Sequence, residues 1–383
     1  MAGAWWSEAI AAFGGTLAGE PQPEAEAVDV QLGDREVVLH RWPEGATPDQ
    51  VELTQTALLA MDGGVFPVPA RAEDGGWSVR VEGRLVSGAS RPAGRPLHRY
   101  GDHRTPDGAP IDLPLPLSSP APEVVLAAVQ AMGRFHTTTA NLVGKEGAGA
   151  ASLQRQLRDA GATWSRLRRV VGDRAASAPE IRRWLRCGNR VLPVATELLE
   201  GVEQAATTSA VIHGNLWPVD LLVEGQGTER HLTGIVGWTA TREGSPLIDL
   251  AQLAVHTAGW SGALAESVLG AYADTGRITP TERRLLPVVA VLDLLPRVGG
   301  LLKLAYVDDE MIGHEAQPVL RSGMKMLLTS LENLTEVLAP DAEWGQRKAN
   351  EGRQVRHARP VRKPAGSRTK PTRTRGSGRS DRG

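Results

Sequence analysis

The sequence predicts an α+β fold: a small N-terminal antiparallel sheet with one packed helix, then a larger, mostly helical part. Three observations carry this. Residues 28–42, VDVQLGDREVVLHRW, give two extended runs about the turn Gly33-Asp34-Arg35, which is a hairpin pattern. From residue 123 the apolar residues recur at steps of three and four, the helical period. Between predicted helices, LLVEGQGTERHLTGIVGW (221–238) reads as strand, Gly-containing turn, strand.

Taken in order, residues 1–97 form a mixed strand-and-helix lobe. After the hairpin comes TPDQVELTQTALLAM (47–61). Thr47 is placed to cap a helix starting at Pro48, with Val51, Leu58 and Leu59 marking its apolar face. GVFPVPARAEDGGWSVRVEGRLV (64–86) reads as short strands between Gly-rich turns. Residues 98–122 are rich in Gly and Pro and read as a connector with a long loop. Residues 123–340 form the helical lobe. Val125, Val129, Met132 and His136 fall on one helix face, and Leu153, Leu157, Ala160, Trp164, Leu167 and Val171 on another.

Composition bounds the function. The chain has 383 residues, 41% of them hydrophobic, enough to bury a core in one large or two modest domains. Cys187 is the single cysteine, which excludes a disulfide framework and a thiolate metal cluster. The N-terminus, MAGAWWSEAIAAFGG, has no basic leader and no clean apolar stretch, which argues against a signal peptide. The apolar run 285–307 is interrupted by Asp293, Pro296, Arg297 and Lys303 and reads as a buried helix, not a membrane span. A cytoplasmic protein without membrane contact is the expectation.

Charge is unevenly placed. Residues 341–383 hold 13 Lys and Arg against 4 Asp and Glu, whereas the preceding 340 residues hold 30 against 40. The tail has almost nothing apolar to bury and is expected to be disordered. It has two readings: a solubilising extension, or a contact for a polyanion or an acidic protein partner. Residues 353–383 contain no Phe, Trp or Tyr, so nucleic acid would be met at its phosphates without base stacking.

The segment VIHGNLWPVDLLV (211–223) carries the chemistry. The loop from His213 to Asp220 leads into one strand, and Gly237 stands at the end of the next. In an antiparallel hairpin the start of the first strand lies beside the end of the second, so positions 220 and 237 should be neighbours. Polar groups there could position a hydroxyl and hold Mg²⁺ against a nucleotide's phosphates.

Here the chain resembles the aminoglycoside and choline kinase-like phosphotransferase family. That family has His-Gly-Asp with Asn five residues after the Asp, a strand ending in Ile-Asp-Trp or Ile-Asp-Phe, and a helix opening Pro-x-x-Asp-Leu-Ala. This sequence has HGNLWPVDLLV, GIVGW and SPLIDLA at matching spacing. EVVLHRW resembles the strand of the nucleotide-phosphate lysine, VELTQTALLAM the helix after it, FPVPA the following turn, and MGRFH the end of the first large-lobe helix. The resemblance covers roughly residues 20–335. It implies the two-lobed protein-kinase-like fold, with ATP and Mg²⁺ as cofactors and a nucleotide or small molecule in the interlobe cleft.

The departures fall on the chemical positions. The resemblance puts the catalytic carboxylate at Asn215, the amide metal ligand at Asp220, the second metal ligand at Gly237 and the phosphate lysine near His40. No lysine precedes Lys145, so no shift in alignment supplies one. A neutral amide cannot take a proton near pH 7, and losing a positioned base costs about 10²–10⁴ in rate. Gly237 offers no side-chain carboxylate oxygens to Mg²⁺, which prefers hard oxygen ligands. His40 is short and mostly neutral at pH 7, and the alternation of the strand points Arg41 to the opposite face. His213 reads as a loop-orienting residue, Asp249 as a loop holder through backbone hydrogen bonds, and Glu52, without its lysine, as a solvated helix residue. The expectation is a pseudokinase that acts by binding a ligand or partner. The alternative is a working ATP-dependent small-molecule phosphotransferase with Asp220 as metal ligand or base, helped by Glu243 or Asp249. His98 and His103 are too isolated to make a metal site.

Overall fold

The computed structural model describes residues 5–19, 26–97, 122–144, 147–203, 206–256, 259–308 and 317–340. The chain divides into two compact units, residues 1–339 and 340–383. The first holds every element below. The second lies, apart from Pro340, outside the described residues, as do the tail's expected disorder, the connector loop, His98 and His103.

The predicted hairpin forms from β2 (Ala27–Leu32) and β3 (Arg35–Arg41). With β1 (Thr16–Leu17), β4 (Pro69–Ala70), β5 (Val79–Val81) and β6 (Arg84–Ser90) it makes an antiparallel sheet of order β1-β2-β3-β6-β4, with β5 also on β6. Alternation buries Val28, Val30, Val37 and Leu39 on one face. They pack against Trp5 and Ala9 of helix α1 (Trp5–Ala12), an element the sequence reading did not anticipate, and against Phe13. Arg41 points away as expected, pairing with Glu82 at 3.1 Å.

Helix α2 (Pro48–Leu59) begins where predicted. The Thr47 hydroxyl accepts the Gln50 amide at 3.2 Å, a cap that contributes about 1 kcal/mol. Its buried face is Val51, Thr54, Gln55, Ala57 and Leu58. Leu59, expected on that face, is 51% exposed, because one further residue rotates 100° around the helix.

The small sheet ends at Ser90, short of the predicted boundary at Leu97. Strand β7 (Arg95–Pro96) instead pairs with β9 (Leu221–Glu224), which pairs with β10 (His231–Ile235). The Leu97 amide donates to Leu221 O at 2.7 Å. The lobe junction is therefore stitched by backbone bonds.

The larger lobe is built from α3 (Pro122–Thr139), α4 (Ala148–Val171), α5 (Pro179–Glu200), α6 (Leu247–His256), α7 (Gly262–Ala273), α8 (Pro280–Tyr306) and α9 (Gln317–Leu338). The predicted faces of α3 and α4 are buried, with Leu157 partly so. Helix α8 packs against α4, α5, α6 and α9. Length and composition would let it cross a membrane, but most of its apolar stretch is buried among those neighbours. Thr279 and Glu282 close a reciprocal cap at its start, at 3.1 and 2.8 Å. A two-stranded sheet of β8 (Ala210–Ile212) and β11 (Arg242–Gly244) frames the loop between them.

Candidate functional site

Strand β8 delivers the His213–Asp220 loop, and α6 fixes it from below. The fully buried Asp249 carboxylate accepts the His213 amide on Oδ2 and the Gly214 amide on Oδ1, both at 2.8 Å. The His136 ring nitrogen Nε2 lies 3.1 Å from Asp249 Oδ2. Burial alone would push this carboxyl up. The hydrogen bond and charge of His136, then His213 and the Gly214 amide, outweigh it and hold the pKa below the carboxylate range. Asp249 thus anchors the loop with every oxygen engaged.

Gly214 has φ +82°, and a Cβ there would stand 2.6 Å from Ala240 O, so glycine is required. The His213 ring is buried and its pKa is depressed, chiefly by burial. Its Nε2 faces Val236 O at 2.7 Å. A carbonyl can only accept, so Nε2 carries a hydrogen, and the Asn215 amide directed at Nδ1 makes that nitrogen the acceptor of a neutral ring. Its Nδ1 is left to accept the Asn215 amide at 3.4 Å. His213 ties the loop to the end of β10 and holds no mobile proton.

Asn215, expected at the base position, is exposed, yet its Oδ1 is engaged. Trp217 Nε1 donates to it at 2.9 Å and Arg297 Nη2 at 3.1 Å. Both partners are donor-only groups, which fixes which end of the amide faces them. Arg297 also bonds Asp293 through Nε (2.8 Å) and Nη2 (3.0 Å). Asp293 further accepts Gln252 at 3.1 Å and His256 at 2.8 Å. Burial would raise the Asp293 pKa, but the Arg297 charge and the His256 bond drive it well below the carboxylate range. Trp217 stacks on the His256 ring at 4.0 Å and lies 4.0 Å from the Arg297 guanidinium. Asn215 therefore ends a rigid, charge-balanced network running into α8.

Positions 220 and 237 are neighbours, as the hairpin argument required. The Val236 amide donates to Asp220 O at 2.8 Å, and the Trp217 amide to Asp220 Oδ2 at 2.8 Å. Gly237 has φ +81°; a Cβ there would lie 2.8 Å from Asp220 Cγ and closer still to Oδ1. The Asp220 carboxylate fills the space a side chain at 237 would enter.

His40, Gly237, Trp238 and Thr239 line one small cavity of about 50 Å³, with Trp42, Thr54, Gln55 and Ser87 among its other walls. Among the described residues, no Lys or Arg lines it. The His40 pKa is depressed, first by burial and then by Arg91. Trp42 Nε1 and Gln55 Nε2 both donate to Ser87 Oγ, at 2.9 and 3.0 Å. Gln50 Nε2 reaches from α2 to Thr239 O and Thr241 O, both at 3.3 Å. Glu52, at the family's lysine-partner position, is exposed and away from the cavity, where α2 presents Thr54, Gln55 and Leu58 instead. Glu243 accepts the Gly144 amide at 3.1 Å and lines neither this cavity nor the loop.

Sequence reading missed Arg297, Asp293, Trp217, Gln252, His256 and Arg242. One signal was available: Asp293 and Arg297 stand four apart in the otherwise mostly apolar stretch 285–302, where ionised side chains must be paired.

A family model for the phosphotransferase enzyme family matches residues 23–287. No curated protein matches the chain. Among solved structures, the microcompartment-associated aminopropanol kinase is similar at TM-score 0.56 and 16% identity, over 87% of this chain and 96% of that one. The AMP-bound spectinomycin phosphotransferase has TM-score 0.50 and 9% identity, over 85% and 96%. Amicoumacin kinase, solved with AMP-PNP and Ca²⁺, has TM-score 0.50 and 12% identity, over 85% and 92%. At these identities the likeness is one of fold, and the fold is kinase-like. On the family match and this shared architecture, the chain belongs to the phosphotransferase enzyme family.

Proposed function

We propose that this protein keeps the family's fold but has lost phosphotransfer, and that it acts in the cytoplasm by binding a ligand or partner. The observation that carries the reading is the Asn215 amide oxygen, held by Trp217 and Arg297 at 2.9 and 3.1 Å. A neutral amide is already a negligible base. One whose acceptor is spent on two fixed donors cannot orient a substrate hydroxyl either. The remaining positions support the same conclusion. A nucleotide's phosphates would meet a neutral His40 where the family has a lysine. Mg²⁺ would find the Asp220 carboxylate without a second one at Gly237. Ligand sites ordinarily offer about 300–1,000 Å³, far more than the 50 Å³ beside His40.

A thermal-shift titration with ATP, with and without Mg²⁺, tests this, since a ligand that binds the native state stabilises it by mass action. The expected result is a small shift that Mg²⁺ does not enlarge. A large Mg²⁺-dependent shift at micromolar ATP would contradict the proposal.

A second reading draws on Asp220. Its Oδ1 stands where a side chain at 237 would begin, so one carboxylate could serve in the place of another. That active-phosphotransferase reading requires turnover that Asp220→Ala abolishes.

A further inference from the structure

A second cavity, of about 320 Å³, opens on the helical side of the loop, walled by α4, α6 and α8 together with Gly214 and Arg242. Three guanidinium groups line it, those of Arg155, Arg242 and Arg297, against two carboxylates, Asp159 and Asp293. Asp293 is already consumed by Arg297, Gln252 and His256. What faces the cavity with charge unspent is Arg155 and Arg242 against Asp159.

Arg242 is held by neutral groups. Among the described residues its hydrogen bonds are from Nη1 to Ala240 O at 3.0 Å and Gly214 O at 3.4 Å. Burial lowers its pKa, and the neighbouring Arg155 charge adds to that, against the pull of Asp249 and other acids. A partly desolvated cation of this kind gains from an anion brought to it. Arg155 is exposed and makes no ion pair or hydrogen bond among the described residues. Gln156, one residue on, has its Nε2 on Val289 O at 3.5 Å, while its Oε1 is buried without a partner. A buried acceptor left bare costs about 1–3 kcal/mol, and a donor on a ligand would satisfy it.

We propose that this cavity binds a small molecule carrying an oxyanion, a carboxylate or a phosphate, held by Arg242 and Arg155, with a hydroxyl donating to Gln156. The proposal rests on the ligand-binding reading above and names the chemistry of the ligand. Planar guanidinium forks match oxyanions in a bidentate way. A polycation would meet the excess of positive charge.

Calorimetric titration of the full chain at 0.15 M NaCl tests it, with glycerol 3-phosphate and glycerate as separate probes and glycerol and spermidine as controls. The two probes distinguish a phosphate from a carboxylate. The decisive variant is Arg155→Glu, an exposed position whose change leaves the packing untouched and the basic tail unaltered; Arg242→Gln is the second. The expected result is saturable millimolar or tighter binding of at least one oxyanion probe, weakened about tenfold or more by Arg155→Glu, with no binding of either control. Equal binding by the parent and Arg155→Glu would place the anion elsewhere and overturn the proposal. So would tighter binding of spermidine, or no saturable binding of either probe below about 10 mM. Phosphate transfer by a chain that binds the probe in this way would remove the binding-only reading and leave the oxyanion site standing.

Discussion

Restoring the family's carboxylate at position 237 should harm this protein. Gly237 adopts φ +81°, and a non-glycine residue in that region costs about 1 kcal/mol or more. Its Cβ would stand 2.8 Å from Asp220 Cγ, so the Asp220 carboxylate must move and release the Trp217 amide it accepts at 2.8 Å. Overpacking contributes about 1–3 kcal/mol, and losing a hydrogen bond to a charged group about 1.5–3 kcal/mol. Gly237→Asp should therefore destabilise by about 3–5 kcal/mol, summing these partly overlapping terms. Only the backbone part survives once Asp220 is truncated. Urea denaturation of the parent, Gly237→Asp, Asp220→Ala and the double variant should give a coupling energy of about 2–4 kcal/mol. A coupling near zero would mean that Asp220 does not exclude a side chain at 237, and the argument from mutual exclusion would fail.

Three further outcomes follow from the same contacts. Arg297→Ala strips the main counter-charge from Asp293, whose side chain is 6% exposed, and should cost about 3 kcal/mol in urea denaturation; a loss under about 0.5 kcal/mol would mean the network is slack. The pKa values of His213 and His256 are held below the ordinary value by burial, and that of His40 by burial and Arg91. The unfolded chain thus binds more protons below about pH 6.5, and stability should fall from pH 7 to pH 5 by up to about 1.4 kcal/mol per pH unit per histidine. The depressed Asp249 and Asp293 add their loss only below about pH 4, as pH falls through their folded-state values; constant or rising urea midpoints from pH 7 to 5 would contradict this. Deleting residues 346–383 should leave the melting temperature nearly unchanged and remove most low-salt binding to RNA or DNA, because the 13 Lys and Arg there would act through counterion release; equal binding by the truncated chain would refute the role.

Local chemistry made much of this legible in the sequence. The Gly33 turn, the Thr47 cap, the loop from His213 to Asp220 and the Asp249 anchor each sit in a pattern only a few residues long. The adjacency of 220 and 237 followed from strand pairing alone. What could not be read was long-range. Arg297 reaches Asn215 across 82 positions, and an arginine on a helix does not announce which loop it meets. Its pairing with Asp293 was visible as a break in an apolar run, but the same pair read only as an argument against a membrane span. The apolar face of α2 was misplaced at one residue for a related reason. Leu59 is apolar by composition, yet helix rotation leaves it exposed; Glu52 is solvated as expected, and Thr54 and Gln55 face the cavity.

The central claim is that the fold persists without phosphotransfer, and transfer of the labelled γ-phosphate of ATP tests it most directly. The full chain would be incubated with Mg²⁺ and a panel of alcohols, amines and aminoglycosides, beside Asp220→Ala. The account predicts release no faster than the no-protein background and no difference between the two chains. Robust Mg²⁺-dependent transfer that disappears in Asp220→Ala would contradict it and make Asp220 the working carboxylate.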